Sequence, residues 1–145
     1  MINIVIIEDE TPAQLTLKKL IARHCPNSQV VMTLSSVKSS IKWLEENPDK
    51  ADVIFMDVEL SDGICFEIFE HVTPLAHVII TTAYDNYALN AFKVNSLDYL
   101  LKPIDEEELK RAWGRCIERL EHRSSPDIER LMELMSRNGL EQNKE

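Results

Sequence analysis

Acidic, hydroxyl and basic side chains stand in this chain at the points where short apolar runs end. They are Glu8, Asp9 and Asp57 among the acids, the hydroxyl residue Thr82 and the basic residue Lys102. Clustered carboxylates repel one another unless a cation lies between them, and oxygen ligands suit the hard ion Mg²⁺. If the ends of these runs meet, we predict a magnesium site at Asp9 and Asp57.

Such a site suggests phosphoryl chemistry. A carboxylate beside Mg²⁺ can act as a nucleophile toward phosphorus, because a metal ion and an ammonium group offset the charge on the transferred group. Asp57 is the central candidate for this nucleophile. Lys102 would place a point charge near the phosphoryl oxygens, and the Thr82 hydroxyl would donate a hydrogen bond to one of them.

The five apolar runs predict the strands that would bring these side chains together. They are Asn3–Ile7, Gln29–Leu34, Val53–Asp57, His77–Thr81 and Leu97–Leu101. The runs alternate with longer segments of helical character, which is typical of a doubly wound α/β fold with a parallel sheet covered on both faces. Ligands of such sheets bind outside the carboxyl ends of the strands, where the candidate residues lie.

Five helices are predicted to connect and follow these strands. They are Pro12–His24, Val37–Asn47, Ile64–Val72, Asn86–Val94 and a helix after Pro103 that Asp105 caps. Thr11 is the expected N-cap of the first helix, with Pro12 at its first position. The last helix carries apolar residues at helical spacing on one face. These include Leu109, Ala112, Trp113, Cys116, Ile117 and Leu120.

Ser124-Ser125-Pro126 interrupts this pattern, and we predict a domain boundary there. Residues 1–123 would form the domain, and residues 124–145 a linker and helical tail. The tail carries Leu131, Met132 and Met135 at a spacing that favours an interhelical or dimer contact.

Composition narrows the classes of function. The 145 residues are 44% hydrophobic, enough for one core, and 25 acidic against 16 basic residues give a net charge of -9. That charge disfavours direct binding to nucleic acid. The N-terminal apolar run is too short for a membrane span, and three scattered cysteines predict reduced thiols. We therefore expect a cytoplasmic protein with no membrane contact.

Four spaced motifs together resemble a known family. They are Ile6–Glu10, Phe55–Leu60 with Asp62-Gly63, Thr81–Ala83 and Asp98–Pro103. Over about Met1–Arg123 the chain resembles the receiver domain of two-component response regulators. The resemblance implies a flavodoxin-like sheet with strand order 2-1-3-4-5.

It also implies how the site works. Mg²⁺ would be bound by Asp9, Asp57 and the backbone carbonyl of Glu59, with Glu8, at a position often occupied by aspartate in receivers, binding through water. A sensor histidine kinase would phosphorylate Asp57. Thr82 and Tyr99 would be the rearranging pair.

The resemblance further implies a cis peptide bond between Lys102 and Pro103. It implies that the domain catalyses only its own phosphotransfer and slow dephosphorylation, so that it is not an enzyme in the usual sense.

Three segments are most similar to receivers of the LytTR class of transcription regulators. They are Glu8–Glu10, Thr82–Tyr84 and Ala88–Phe92. In that class a DNA-binding domain follows the linker. We therefore expect either the receiver portion of a longer protein, with DNA contact through an effector domain absent from this chain, or a stand-alone receiver with a helical tail. Three alternatives stay open for a homodimer: pairing through the predicted fourth helix, fifth strand and fifth helix, pairing through the tail, or no pairing.

Two rival interpretations stay open at this point. A phosphohydrolase with an aspartate nucleophile would require a second aspartate, two residues after Asp57, to act as the general acid. Glu59 stands at that position instead. An interaction module that has lost the chemistry would not need Asp9, Asp57, Thr82 and Lys102 together. Plain structural roles also exist, such as a helix cap for Asp57 and a packed aromatic for Tyr99.

Overall fold

A parallel five-stranded sheet forms the centre of the structure, a computed structural model that describes residues 1–83 and 98–124. The strands are β1 Ile2–Ile7, β2 Ser28–Leu34, β3 Val53–Asp57, β4 Glu59–Leu60, β5 Gly63–Ile64, β6 His77–Thr82 and β7 Asp98–Leu101. The central sheet has the order β2-β1-β3-β6-β7, and β4 and β5 form a separate antiparallel hairpin. The predicted order 2-1-3-4-5 and the doubly wound fold are confirmed.

Helices connect these strands. They are α1 Thr11–His24, α2 Val37–Glu46, the 3₁₀ helix Cys65–Glu67 that continues into α3 Ile68–His71, and α4 Glu106–Ser124. Three predicted features lie outside the described residues. They are the helix Asn86–Val94, residue Leu97 at the start of the last predicted strand, and the tail helix.

The start of α1 differs by one residue from the prediction. Glu10 is the N-cap, Thr11 is the first helical residue and Pro12 the second. A hydrogen bond of Gln14 explains the shift. The backbone amide of Gln14 donates to the Glu10 carbonyl at 3.0 Å, which closes the first turn one residue earlier. Proline tolerates this position because its amide would have no partner within the helix.

The predicted helix Ile64–Val72 begins one residue too early, and its first turn, Cys65–Glu67, is 3₁₀ rather than α-helical. Ile64 pairs with Glu59 in the hairpin instead, and the Cys65 amide donates to the Val58 carbonyl at 2.8 Å. Gly63 has a φ of 155°, which a helix does not contain. Helical structure therefore begins only at Cys65.

The other predicted ends hold to within a residue or two. Ser36 caps α2, and the helix ends at Glu46 because Asn47 takes a non-helical conformation before Pro48. Asp105 caps α4 as predicted, since its Oδ2 accepts a hydrogen bond from the Glu108 amide at 3.1 Å.

The core lies on both faces of β1 and β3, two of the three inner strands of the sheet. Ile4–Ile7 of β1 and Val53–Met56 of β3 are essentially inaccessible to solvent. Leu109, Ala112 and Trp113 of α4 are also buried, as their helical spacing predicts. Continuous burial of β1 and β3 is expected of parallel strands covered by helices.

The chain divides into two compact units, Met1–Trp113 and Gly114–Glu145. The division falls within α4, so the boundary predicted near residue 124 stays a prediction. Across residues 1–83 and 98–124, no helix combines the length and apolar character that a membrane crossing requires.

Candidate functional site

The candidate residues stand at the carboxyl ends of four parallel strands. Glu8 and Asp9 follow β1, Asp57 is the last residue of β3, Thr82 is the last of β6, and Lys102 follows β7. Because the strands are parallel, these ends share one edge of the sheet. The apolar residues of the strands pack in the core, and the polar side chains lie at this edge, where the strands end.

Lys102 joins two of the carboxylates. Its Nζ lies 2.5 Å from Glu8 Oε1 and 3.3 Å from Asp57 Oδ2. Glu8 is 3% exposed and Asp57 is 9% exposed, so both charges are largely removed from water. Buried charges need such a partner, because removing the ammonium would leave carboxylates without compensation.

Three carboxylates at this edge have the chemistry of a divalent cation site. One oxygen from each of Glu8, Asp9 and Asp57 lies within 4.8 Å of the others. Within the part of the chain that the structure describes, three acids face one ammonium, that of Lys102, which leaves an excess of negative charge. Oxygen donors suit Mg²⁺. These residues therefore fit the ion. Glu59, the first residue of β4, is exposed, and metal binding by its carbonyl stays a prediction.

Burial and hydrogen bonding shift the pKa values of Asp57 and Glu8 in opposite directions. It raises the pKa of Asp57 from 3.8 to about 6, with Lys102 opposing the shift and Glu8 adding to it. Burial acts on Glu8 in the same direction, but hydrogen bonds from Lys102 and the Glu10 amide outweigh it and leave the pKa of Glu8 lowered. Asp57 is therefore the more basic of the two and is still mostly ionised at neutral pH.

Burial and neighbouring charges also shift the pKa values of Asp9 and Lys102. Burial raises the pKa of Asp9, and the neighbouring Glu8 raises it further. Burial alone would lower the pKa of Lys102, yet Glu8 and Asp57 outweigh it and raise that pKa. Lys102 is therefore a permanent cation in this site.

Backbone and side-chain contacts fix the position of Glu8. Its amide donates to the Leu34 carbonyl at 2.9 Å, and its own carbonyl accepts a hydrogen bond from Gln14 Nε2 at 2.6 Å. Its Oε2 accepts from the Glu10 amide at 3.1 Å. Gln14 was not predicted as a site residue, because its one signal in the sequence is that it is a polar residue in the first helical turn after an acidic strand end.

Thr82 and Tyr99, the predicted switch pair, lie on adjacent strands. Thr82 is buried at the end of β6, where its carbonyl accepts a hydrogen bond from the Lys102 amide at 2.7 Å. Tyr99 in β7 is half-buried and packs against the core. The Lys102–Pro103 peptide bond is cis, as expected. The rearrangement of the pair stays a prediction.

Comparison with known proteins agrees with this geometry. Residues 4–113 match the response regulator receiver domain. The chain belongs to this family. Membership favours the receiver interpretation over that of a phosphohydrolase.

Named relatives and a solved structure extend the match. The receiver is 36% identical to the sensory transduction proteins LytT of Bacillus anthracis and Enterococcus faecalis, over 75% and 74% of this chain. It covers only 44% of each relative. A receiver domain from Clostridium thermocellum superposes with a TM-score of 0.70 at 26% identity, over 83% of this chain and 98% of that one. The LytT matches are consistent with the LytTR class.

Proposed function

We propose that this receiver domain accepts a phosphoryl group on Asp57 from the phosphohistidine of a sensor histidine kinase, in a Mg²⁺-dependent reaction. One observation carries the proposal. Asp57 is a buried but ionised carboxylate that lies beside a fixed ammonium and within reach of two further acids. This combination serves phosphoryl transfer better than it serves stability, because three acids share one cation.

In the proposed reaction an Asp57 carboxylate oxygen attacks phosphorus. A P–O bond forms as the P–N bond to the donor imidazole breaks; the electron pair of that bond returns to the ring nitrogen, and the ring leaves as neutral imidazole with the proton already held on its other nitrogen. Lys102, already shared between Glu8 and Asp57, pairs with the incoming phosphoryl oxygens. Bound by Asp9, Asp57 and the Glu59 carbonyl, with Glu8 contacting it through water, Mg²⁺ would neutralise charge on the transferred group.

The phosphoryl group then acts as a switch. It adds a charge of about -1.5 to -2 at the edge of the sheet. The Thr82 hydroxyl donates a hydrogen bond to one of the new phosphoryl oxygens. The Tyr99 side chain rearranges together with Thr82. A partner or a second copy of the chain reads the change on the surface formed by the predicted helix Asn86–Val94, β7 and α4, or on the tail.

The regulated process is transcription. The chain spans less than half the length of the LytT relatives, and we infer that a LytTR-type DNA-binding domain belongs to the whole protein. Contact with DNA is assigned to that domain, because the net charge of this chain is -9. The three described cysteines are free and buried, which suits the cytoplasm.

Intact mass after incubation with acetyl phosphate and Mg²⁺ tests the proposal. We expect one phosphoryl adduct that alkali removes, no adduct on Asp57→Asn, and slower formation on Lys102→Ala. Omitting Mg²⁺ should abolish the reaction. The absence of an adduct on the parent protein would leave an interaction module without phosphoryl chemistry. An adduct retained by Asp57→Asn would place the acceptor elsewhere.

A further inference from the structure

The hairpin that follows Asp57 is tied to a helix outside the site. Asp62 lies at its tip, where Oδ1 accepts a hydrogen bond from the Val37 amide at 2.7 Å and Oδ2 accepts one from the Lys38 amide at 3.0 Å. These two residues begin α2. One carboxylate therefore bridges segments that are 24 and 25 residues apart in sequence.

The bridge completes the N-terminus of α2. The first four amides of a helix have no partner within it. The Ser40 amide makes the first bond of the helix, to the Ser36 carbonyl at 3.1 Å. Of the amides before it, that of Ser39 donates to Ser36 Oγ at 3.0 Å, and Asp62 supplies acceptors for those of Val37 and Lys38. Its negative charge also suits the positive end of the helix dipole.

The base of the same hairpin is held by the sheet. The Val58 amide donates to the Thr81 carbonyl at 3.1 Å, and the Val58 carbonyl accepts from the Cys65 amide at 2.8 Å. Glu59 lies between this base and the tip that carries Asp62. Fixing both the base and the tip restrains rotation of the hairpin about its base, and with it the backbone at Glu59.

We propose that Asp62 is a positioning residue of the phosphorylation site, which holds the hairpin so that the Glu59 carbonyl is ready to bind Mg²⁺. This inference rests on the proposed function. Asp62 touches no reacting atom, and it acts through the backbone between Asp57 and Gly63. Its two amide contacts, with Lys38 first and Val37 second, lower its pKa, which keeps it charged at neutral pH.

The test compares Asp62→Ala and Asp62→Asn with Ser36→Ala. Ser36→Ala removes a cap from the same helix end but leaves the hairpin tie intact. Asp62→Ala should raise the Mg²⁺ concentration needed for half-maximal phosphorylation by acetyl phosphate about 10-fold, the size expected for partners that orient a metal ligand. The rate at saturating Mg²⁺ should change by less than about twofold, because the reacting groups are unaltered.

Amide exchange and metal titration separate this role from stability. Exchange at Val37 and Lys38 should accelerate in Asp62→Ala, whereas exchange at Ser39 should accelerate in Ser36→Ala. Asp62→Asn retains one acceptor oxygen and should fall between Asp62→Ala and the parent, which keeps the test valid if the alanine variant folds poorly. A Mg²⁺ requirement within about twofold of the parent in both Asp62 variants would overturn the inference.

Failure of the proposed function would look different. Calorimetric titration with Mg²⁺ measures metal affinity whether or not Asp57 takes a phosphoryl group. A parent that binds Mg²⁺ without being phosphorylated would sink the proposed function, while weaker Mg²⁺ binding by Asp62→Ala than by Ser36→Ala would still support the positioning role. A parent that binds no Mg²⁺ would refute both.

Discussion

Neutralising Asp57 should stabilise the domain in the absence of metal, although it removes the proposed phospho-acceptor. Folding buries this carboxylate and raises its pKa from 3.8 to about 6. Such a shift corresponds to about 3 kcal/mol of folding free energy lost at neutral pH. The 3.3 Å contact with Lys102 opposes the rise in pKa and is already contained in this net shift. An asparagine amide replaces the neutral carboxyl group imperfectly, so we expect a gain of about 1–2 kcal/mol in the free energy of unfolding.

The gain should depend on pH in a defined direction. Between the unfolded pKa of 3.8 and the folded pKa of about 6, the folded parent binds more protons than the unfolded chain. The stability contribution of Asp57 therefore falls as pH rises through this window and is constant above it. Asp57→Asn lacks this titration, so its advantage should be largest at neutral pH and should shrink toward pH 3.8.

Urea denaturation in EDTA, at about pH 4.5 and about pH 7.5, measures the effect. Asp49→Asn is the matched control, because Asp49 is exposed and the substitution changes net charge equally. Mg²⁺ at about ten times its dissociation constant should stabilise the parent by about 1.4 kcal/mol and Asp57→Asn by less. The reasoning is refuted if Asp57→Asn is no more stable than Asp49→Asn at the higher pH, or if its gain is equal at both.

Three further substitutions test positions away from the site. His77→Ala should lower the free energy of unfolding by about 1–3 kcal/mol in urea titrations, because buried Asp98 loses the 2.9 Å hydrogen bond from the ring; a loss below about 0.5 kcal/mol would contradict this. Gly63→Ala should cost about 1–3 kcal/mol, because φ is 155° and a Cβ would lie 2.1 Å from Glu67 Oε2. Gly114→Ala meets nothing within 4 Å and should stabilise by up to about 1 kcal/mol; equal thermal shifts in both glycine variants would count against the argument.

The strands could be predicted because buried strands consist of apolar residues, which can be recognised in the sequence. β1 and β3 are buried on both faces, so they appear as continuous apolar runs such as Ile4–Ile7. Each run ends at the carboxyl edge of the sheet, where the chain leaves the strand. The same change from apolar to polar residues that marks a strand end therefore also marks the candidate site, which is why Asp9, Asp57 and Lys102 were found together.

The hairpin could not be predicted in the same way. Its placement depends on contacts distant in sequence, such as the hydrogen bond from the Val58 amide to the Thr81 carbonyl, and on one special backbone angle at Gly63. Local periodicity instead favoured a helix from Ile64. The Asp62-Gly63 pair was a turn signal, but sequence alone did not show that Asp62 would reach the amides that begin α2.

Distances, rather than residue types, decide how charge is divided within the site. The sequence places three acids and one lysine at the same edge, and from it Glu8 was expected only as a water-mediated metal contact. In the structure Glu8 is the closer partner of Lys102, at 2.5 Å against 3.3 Å for Asp57. The ammonium therefore keeps Glu8 ionised, while Asp57 keeps a pKa of about 6. The longer glutamate arm thus leaves the Asp57 carboxylate as the more basic of the two, which favours the role of nucleophile proposed for it.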